Sequence, residues 1–112
     1  MSLSSLILST LANVGAPVAY HNYTGDESTY VRFFPMPQTH FSADDDETYT
    51  THYIQVDIFS PGNYLNLVKE TKKLLKQAGF RKNFEDELYE KDTKFYHKVL
   101  RFYYITKSEG EI

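Results

Sequence analysis

The chain has 112 residues, of which 41% are hydrophobic and 24% charged, with a formal net charge of −3 and no cysteine. This length fits one domain, and this composition argues against both a disordered chain and a membrane-spanning one. Without cysteine, disulfides, thiolate nucleophiles and zinc sites built on cysteine are excluded. The slight acidity argues against broad binding to nucleic-acid phosphates.

The N-terminal segment has the apolar spacing of a helix. Its apolar residues recur every three or four positions, at Leu3, Leu6, Ile7, Leu11 and Val14. Serines at positions 2, 4 and 5 can cap its start, and Gly15 and Pro17 should end it. The segment lacks the basic region of a secretory signal, so we expect a protein that remains in the cytoplasm or in a particle built there.

A short extended piece at 18–20 and a polar turn at 21–28 are predicted next, followed by strands at 29–34 and 48–59. Alternation in the first strand places Val31 and Phe33 on one face. In the second strand, residues 54, 56 and 58 share one face, whereas Tyr53, Asp57 and Phe59 share the other together with residue 55. Prolines at 35 and 37 should end the first strand, because neither can donate a backbone hydrogen bond.

A second helix is predicted over residues 61–78. Ser60 is a favourable N-cap, Pro61 fits the first helical position, and Gly79 provides a stop. Apolar residues form one face of this segment, and most of the opposite face is basic: Lys69, Lys72, Lys73 and Lys76. By default, such a lysine face is solvated.

The remaining chain is predicted to form an antiparallel hairpin of strands 81–90 and 95–106, with a turn at 91–93 and a frayed tail at 107–112. Its last strand is apolar on both faces. One face carries Tyr96, Leu100, Phe102 and Tyr104, and the other carries Phe95, Val99, Tyr103 and Ile105. Strands of this kind are usually covered on both faces.

Together these elements predict one α+β domain, in which a mostly antiparallel sheet of four to five strands carries two helices on one face. The second helix should pack across the face that bears Ile54, Val56, Ile58, Leu100 and Phe102. Two helices can cover only one face, so the other is the candidate subunit interface. Its candidate residues are Tyr53, Phe59, Val99, Tyr103 and Ile105.

The aromatic content supports an interface as well as a sheet, because the chain has 10 tyrosines and 8 phenylalanines but no tryptophan. Tyrosine combines an apolar ring with a polar hydroxyl, which suits half-wet contacts between proteins. The loop between the predicted strands 29–34 and 48–59 is a candidate docking loop for a basic partner, because it carries an acidic run: Asp44, Asp45, Asp46 and Glu47. A solvated loop is the simpler interpretation of this acidic run.

Motifs for catalysis, metals or nucleotides are missing from the sequence. The histidines at 21, 40, 52 and 97 form no HxxH, HxH or HExxH pattern, and the acidic run lacks the alternating spacing of a calcium loop. There is no GxSxG and no phosphate-binding glycine motif. Residues 96–104 mix bases with aromatics, as single-strand nucleic-acid platforms do, but the flanking chain is acidic. We therefore expect no active site, cofactor or metal, and no recognition of nucleic-acid sequence.

Several stretches in a fixed order resemble small tail-assembly proteins of long-tailed phages and prophages, the group of tail terminators, tail-completion proteins and head–tail joining proteins. These stretches are VAYHNYTG at 18–25, YVRFF at 30–34, HYIQVDIFS at 52–60, QAGF at 77–80, LYEKDT at 88–93 and YHKVLRF at 96–102. The resemblance implies a non-enzymatic α+β subunit that forms a ring, typically sixfold, at the head-proximal end of a tail. Its partners would be itself and tail-tube or head–tail connector proteins, and it would reside in the virion tail after assembly in the bacterial cytoplasm.

Three functions remain open on the sequence. The first is the ring-forming virion subunit, and the second is a prophage-derived or host-encoded module that binds another protein as a monomer or dimer. The third is a small enzyme or ligand-binding domain with a site assembled from His52, Asp57, His97 and Arg101. A closed pocket beside the two histidines would favour the third.

Overall fold

The computed structural model describes residues 2–37 and 49–107. Their elements in chain order are α1 (Leu3–Thr10), β1 (Val18–Tyr20), β2 (Tyr30–Pro35), β3 (Tyr49–Ser60), α2 (Leu65–Gln77), β4 (Arg81–Glu90) and β5 (Phe95–Lys107). The strands form one sheet in the order β1-β2-β3-β5-β4, in which only the β1–β2 pairing is parallel. The predicted α+β class with a mostly antiparallel sheet is confirmed.

Helix α1 begins where one of the three candidate serines caps it. Ser2 Oγ accepts a 3.0 Å hydrogen bond from the backbone N–H of Ser5, which satisfies one of the donors left free in the first turn. The helix ends at Thr10, before Gly15 adopts a φ of 102°. Ile7 and Leu11 are fully buried, so α1 presents its apolar face to the sheet.

The predicted start of α2 was wrong, because Ser60 and Pro61 do not open a helix. Ser60 is instead the last residue of β3, and its hydroxyl accepts a hydrogen bond from the Gly62 N–H while bonding Thr29 Oγ1 at 2.9 Å. The chain turns through 61–63, and Asn63 Oδ1 accepts from Leu65 N, the first residue of α2. Pairing of Ser60 within the sheet therefore takes precedence over its propensity to cap a helix.

Strands β3 and β5 form the centre of the sheet. Their antiparallel register runs from Tyr49↔Lys107 to Ser60↔Tyr96. The neighbouring strands are shorter at one end, since β2 reaches only Ile54 and β4 begins opposite Tyr103. Residues 49–52 and 104–107 consequently extend beyond both neighbours as a two-stranded ribbon.

The core lies between the two helices and one face of the sheet. Val68 and Leu75 of α2 and the buried residues of α1 belong to the same apolar cluster as the strand residues Val31, Phe33, Ile54, Val56, Ile58, Leu100 and Phe102. The predicted packing of the second helix across this face is confirmed. At the end of α2, Gly79 takes a φ of 103°, and an added Cβ would lie 3.2 Å from the Tyr104 ring, so glycine suits both the turn and the packing.

Some predicted features fall outside the described residues. These include the acidic run at 44–47, the histidine at 40 and residues 108–112 of the predicted frayed tail, whereas Lys107 belongs to β5. Within residues 2–37 and 49–107, no helix is long and apolar enough to cross a bilayer.

Candidate functional site

The sheet face opposite the core, here called the open face, carries alternate residues of each long strand. Neither described helix packs against it. In order across the sheet, β2 contributes Tyr30, Arg32 and Phe34, β3 contributes Tyr53, Gln55, Asp57 and Phe59, β5 contributes His97, Val99, Arg101, Tyr103 and Ile105, and β4 contributes Phe84, Asp86 and Leu88. All five candidate interface residues lie on this face.

A fully buried carboxylate lies in the middle of the open face. Asp57 Oδ2 accepts a 2.9 Å hydrogen bond from Arg32 Nε, and Oδ1 accepts one of 2.9 Å from Gln55 Nε2. His97 Nε2 approaches Oδ1 within 3.0 Å, without the alignment of a well-formed hydrogen bond. Burial raises the pKa of Asp57, but these three polar neighbours outweigh it, so the pKa is held below its ordinary value.

Aromatic rings and guanidinium groups close over this carboxylate. Phe59 stacks with Tyr30 at 5.0 Å and with His97 at 4.1 Å between ring centroids. The Arg32 guanidinium lies 5.1 Å from the centre of the Phe59 ring. These contacts bury Phe59 within the chain, so its large apolar side chain is not free for a partner.

A second guanidinium ties β5 to its neighbours. Arg101 Nε donates a 3.0 Å hydrogen bond to Gln55 Oε1, and its guanidinium lies 4.7 Å from the centre of the Phe84 ring on β4. Cation–π contacts of this kind add to a hydrogen bond and fix the side chain along the sheet. Arg101 and Arg32 are therefore committed to contacts within the chain.

The accessible part of the candidate interface lies at the ribbon end of the open face. Ile105 is 51% exposed and Tyr53 is 40% exposed, whereas Val99 is buried like Phe59. Tyr49, which the prediction omitted, shares this face and is 63% exposed. The half-buried Tyr103 lies beside Tyr53, with 6.3 Å between the ring centroids. We call these four residues, Tyr49, Tyr53, Tyr103 and Ile105, the ribbon patch.

A second group of exposed apolar side chains lies at the opposite end of the sheet, on the face that carries the helices. Leu65 is 61% exposed, Tyr89 50% and Tyr96 38%. The ring of Tyr96 lies 4.9 Å from that of Tyr89 and 6.1 Å from that of Tyr64, which adjoins Leu65. We call Leu65, Tyr89 and Tyr96 the helix-side patch.

The buried Tyr64 supports the helix-side patch from below. Its hydroxyl donates a 3.0 Å hydrogen bond to Glu87 Oε1. Burial raises the pKa of Tyr64 well above its ordinary value, and the hydrogen bond to the Glu87 carboxylate raises it further. Tyr64 therefore stays a neutral donor and anchors Glu87 at the margin of this patch.

Lysines converge on one carboxylate between α2 and the hairpin of β4 and β5. Glu85 accepts hydrogen bonds from Lys82 Nζ at 2.7 Å and from Lys72 Nζ at 3.1 Å, and Lys98 Nζ lies 3.1 Å away. Lys82 above all, then Lys72 and Lys98, outweigh burial and lower the pKa of Glu85 to about 2. Among the lysines of the second helix, Lys72 is thus paired, whereas the three at 69, 73 and 76 are exposed.

The four residues of the hypothetical enzyme site do not all meet, although Asp57 and His97 are in contact. His52 lies on the core side of the sheet, where Nε2 is 3.0 Å from Thr106 Oγ1, whereas Asp57, His97 and Arg101 lie on the open face. Strand alternation places His52 on the opposite face from the other three residues, so the site hypothesised from the sequence does not form. Among the described residues, no group of three histidine, aspartate or glutamate side chains could hold a metal ion.

The helix-side patch was missed by the sequence analysis. Tyr89 lies in a strand in which charged residues predominate, and Leu65 was assigned to the interior of a longer helix. The position of Tyr89 could have been found from the alternation of β4, which places Glu85, Glu87 and Tyr89 on one face. The exposure of Leu65 could not be predicted without knowing that α2 begins at this residue.

The sequence matches no protein-family model and no curated protein. The fold does have solved counterparts. A chain described as part of the virion of a native gene transfer agent particle is 14% identical, with a TM-score of 0.67 over 95% of this chain and 95% of that chain. A second solved chain is 13% identical, with a TM-score of 0.55 over 98% of this chain and 90% of that one. At these identities, what is shown is a shared fold.

Proposed function

We propose that this chain is a structural subunit of a phage-type particle. It forms a ring at the head-proximal end of a tail, where it ends the growth of the tail tube or joins the tail to the head. The observation that carries the proposal is the fold shared with a chain of the gene transfer agent virion across nearly the full length of both. The order of tail-assembly stretches in the sequence points to the same class of protein, in which sixfold rings are typical.

The ribbon patch supplies the surface that such a subunit needs. Tyr49 and Ile105 lie on the ribbon that neither neighbouring strand borders, and Tyr53 and Tyr103 adjoin them at the base of the ribbon, where Tyr103 still pairs with Arg81 of β4. Contiguous exposed apolar side chains mark association surfaces in soluble proteins, and tyrosine is enriched in such surfaces. In a ring, this surface meets a different surface of the next subunit, so the contact is heterologous.

Charged residues at the rim would direct docking. The exposed lysines of α2 (Lys69, Lys73 and Lys76) form a basic face, and the acidic run at 44–47 precedes Tyr49 of the ribbon patch in sequence. Such pairs increase the association rate more than they strengthen the final contact. We propose that the acidic run of one subunit faces the lysines of its neighbour.

The proposed partners are further copies of this chain and the tail-tube or head–tail connector proteins of the same particle. The chain acts within the virion tail after assembly in the bacterial cytoplasm. No catalytic step is needed for this role. The polar groups at the centre of the open face are used in holding the sheet together, as the contacts of Asp57 illustrate.

The test is to incubate the purified protein with isolated tail tubes from the particle whose tail genes flank its own gene, and to examine them by electron microscopy. We expect rings bound at one end of each tube. Deletion of the gene should give tubes of uncontrolled length if the ring ends growth, or separate heads and complete tails if it joins them. Unmodified tubes and normal particles would contradict the proposal.

A matched pair of variants links this assay to the ribbon patch. Ile105→Asp introduces a charge where desolvation is expected, and it should abolish rings while leaving the circular dichroism spectrum unchanged. The sequence-based variant Tyr103→Asp should act in the same way. Leu8→Glu changes a similarly exposed apolar residue on α1, outside the patch, and should assemble like the parent. A stable two-fold dimer without rings would favour the alternative, a prophage-derived interaction module.

A further inference from the structure

The helix-side patch has no role in the fold that explains its exposure, and it provides the second half of a subunit contact. We propose that the ribbon patch of one copy docks on the helix-side patch of the next copy. This inference rests on the proposed function and adds the receiving surface, which neither the sequence nor the fold comparison identifies. Four observations support it.

The two patches lie at opposite ends of the sheet. The ribbon patch is at the end where Tyr49 pairs with Lys107, and the helix-side patch is at the end where Tyr96 pairs with Ser60 and Tyr89. The longest extent of the Cα trace is 46 Å, against 26 and 23 Å in the other directions. A contact between opposite ends can repeat from copy to copy, as a closed ring requires.

The patches also lie on opposite faces of the sheet. Tyr49, Tyr53 and Ile105 belong to the open face, whereas Tyr89 and Tyr96 belong to the face that carries the helices. A subunit that offers its open face therefore meets the helix-bearing face of its neighbour. In a pair joined in this way, each copy keeps one patch free for the next contact.

The chemistry of the two patches is matched. Both consist of tyrosines around one aliphatic side chain, Ile105 in the ribbon patch and Leu65 in the helix-side patch. Rigid tyrosine rings provide large contact areas at a small entropic cost, and each keeps a hydroxyl for water or a polar partner. Buried Tyr64 gives the helix-side patch a firm base, through its hydrogen bond to Glu87.

The charges beside the patches have opposite signs. Arg81 lies next to Tyr103 in the register, is exposed, and forms no ion pair with any described residue. Beside the helix-side patch, the Glu87 side chain is 46% exposed, and Lys98 approaches it only at 3.5 Å. Contact between two ribbon patches would bring two Arg81 side chains together, whereas contact between unlike patches places Arg81 opposite Glu87. This difference favours the heterologous arrangement.

Because the chain has no cysteine, the contact can be tested by cross-linking introduced thiols. The double variant Ile105→Cys/Leu65→Cys, treated with a short bismaleimide at high protein concentration, should give a ladder extending beyond the dimer. An equal mixture of the two single variants should give a cross-linked dimer and nothing larger, because only one reactive junction is available. Each single variant alone should remain a monomer.

The control is Ile105→Cys/Leu8→Cys, which carries its second thiol on α1, outside the helix-side patch, and should give only the background of chance collisions. A dimer from Ile105→Cys alone would show a two-fold contact between ribbon patches and overturn the inference. If the Ile105→Asp variant loses its rings but the Leu65 thiol never cross-links, the receiving surface lies elsewhere and the proposed function stands. If neither substitution affects assembly or cross-linking, both the inference and the ribbon patch as a ring contact fail.

Discussion

Arg32 Nε donates a 2.9 Å hydrogen bond to Asp57 Oδ2 across the β2–β3 pairing, and the carboxylate it binds is fully buried on the open face. The two residues are direct partners in the register. Removing a charge from water is unfavourable unless its partners replace the lost hydration. Arg32 and Gln55 provide such hydrogen bonds, and His97, Gln55 and Arg32 together hold the pKa of Asp57 below its ordinary value against the effect of burial.

Loss of Arg32 should therefore destabilise the fold more than loss of a free arginine. Arg32→Gln leaves the Asp57 carboxylate buried without its arginine partner. We expect the free energy of unfolding to fall by about 2 kcal/mol, which is less than for a fully buried pair because Arg32 is one-third exposed. The matched control is Arg81→Gln, which should change the unfolding free energy by less than about 0.5 kcal/mol. Urea unfolding measures both, and equal losses would contradict the assigned role of the pair.

Glu85 should contribute to stability in a pH-dependent way. Its pKa falls from an ordinary value of 4.5 to about 2 in the folded chain, mainly because Lys82 donates a hydrogen bond to it. A lowered folded pKa means that the contribution is complete above pH 4.5 and is lost as the pH falls toward 2. Glu85→Gln should thus be less stable than the parent at pH 6, and the gap should narrow steadily below pH 4.5.

Urea unfolding at pH 6, 4 and 3 would measure that gap. Glu70→Gln is the control, because the Glu70 carboxylate is 43% exposed and makes only a 3.8 Å contact with Lys73. We expect this control to stay close to the parent at every pH. A gap for Glu85→Gln that is constant with pH would mean that the lysines pack around Glu85 without stabilising its charge.

The packing of α2 on the sheet depends on Leu75, which is fully buried. Leu75→Ala removes apolar atoms from a closed core and should cost about 2–5 kcal/mol. Leu65→Ala, at the exposed start of the same helix, should cost less than about 0.5 kcal/mol. If Leu75→Ala lowered the free energy of unfolding as little as Leu65→Ala, the helix would have to lie elsewhere on the sheet.

The protein should need no metal ion. The acidic run at 44–47 lacks the spacing of oxygen ligands around calcium, and the histidines form no ligand pattern in sequence. Thermal melts in EDTA, calcium and zinc should therefore coincide. A rise of several degrees with calcium, lost when Asp44, Asp45 and Asp46 are replaced by asparagine, would reveal a site that the sequence pattern does not suggest.

Much of the fold was predictable because it depends on local periodicity. The alternation of apolar residues assigned the faces of β3 and β5 correctly, and turn residues marked the ends of β4 and β5 closely. Strand order was less accessible, because the pairing of β1 with β2 is parallel and the pairing of β3 with β5 joins segments that α2 and β4 separate in sequence. The start of α2 was misjudged because pairing of Ser60 with Tyr96 is such a distant contact.

The candidate interface was predictable only in part. Alternation placed Phe59 and Val99 on the correct face, but it could not show that neighbouring side chains cover them. For Phe59 that cover comes from Tyr30, Arg32 and His97, whose positions depend on the register of three strands. Alternation alone gives Asp57 a solvent-facing position, yet the same register buries it completely. Sequence patterns thus identify a face, whereas the register decides which of its residues remain accessible.

Strand β5, the last of the described strands, occupies an inner position in the sheet, with β3 on one side and β4 on the other. A nascent chain that has emerged from the ribosome only as far as β4 lacks the strand that joins the two halves of the sheet. The same strand carries Tyr103 and Ile105, half of the ribbon patch. The sheet therefore cannot be completed, and the ribbon patch cannot form, until β5 has been synthesised.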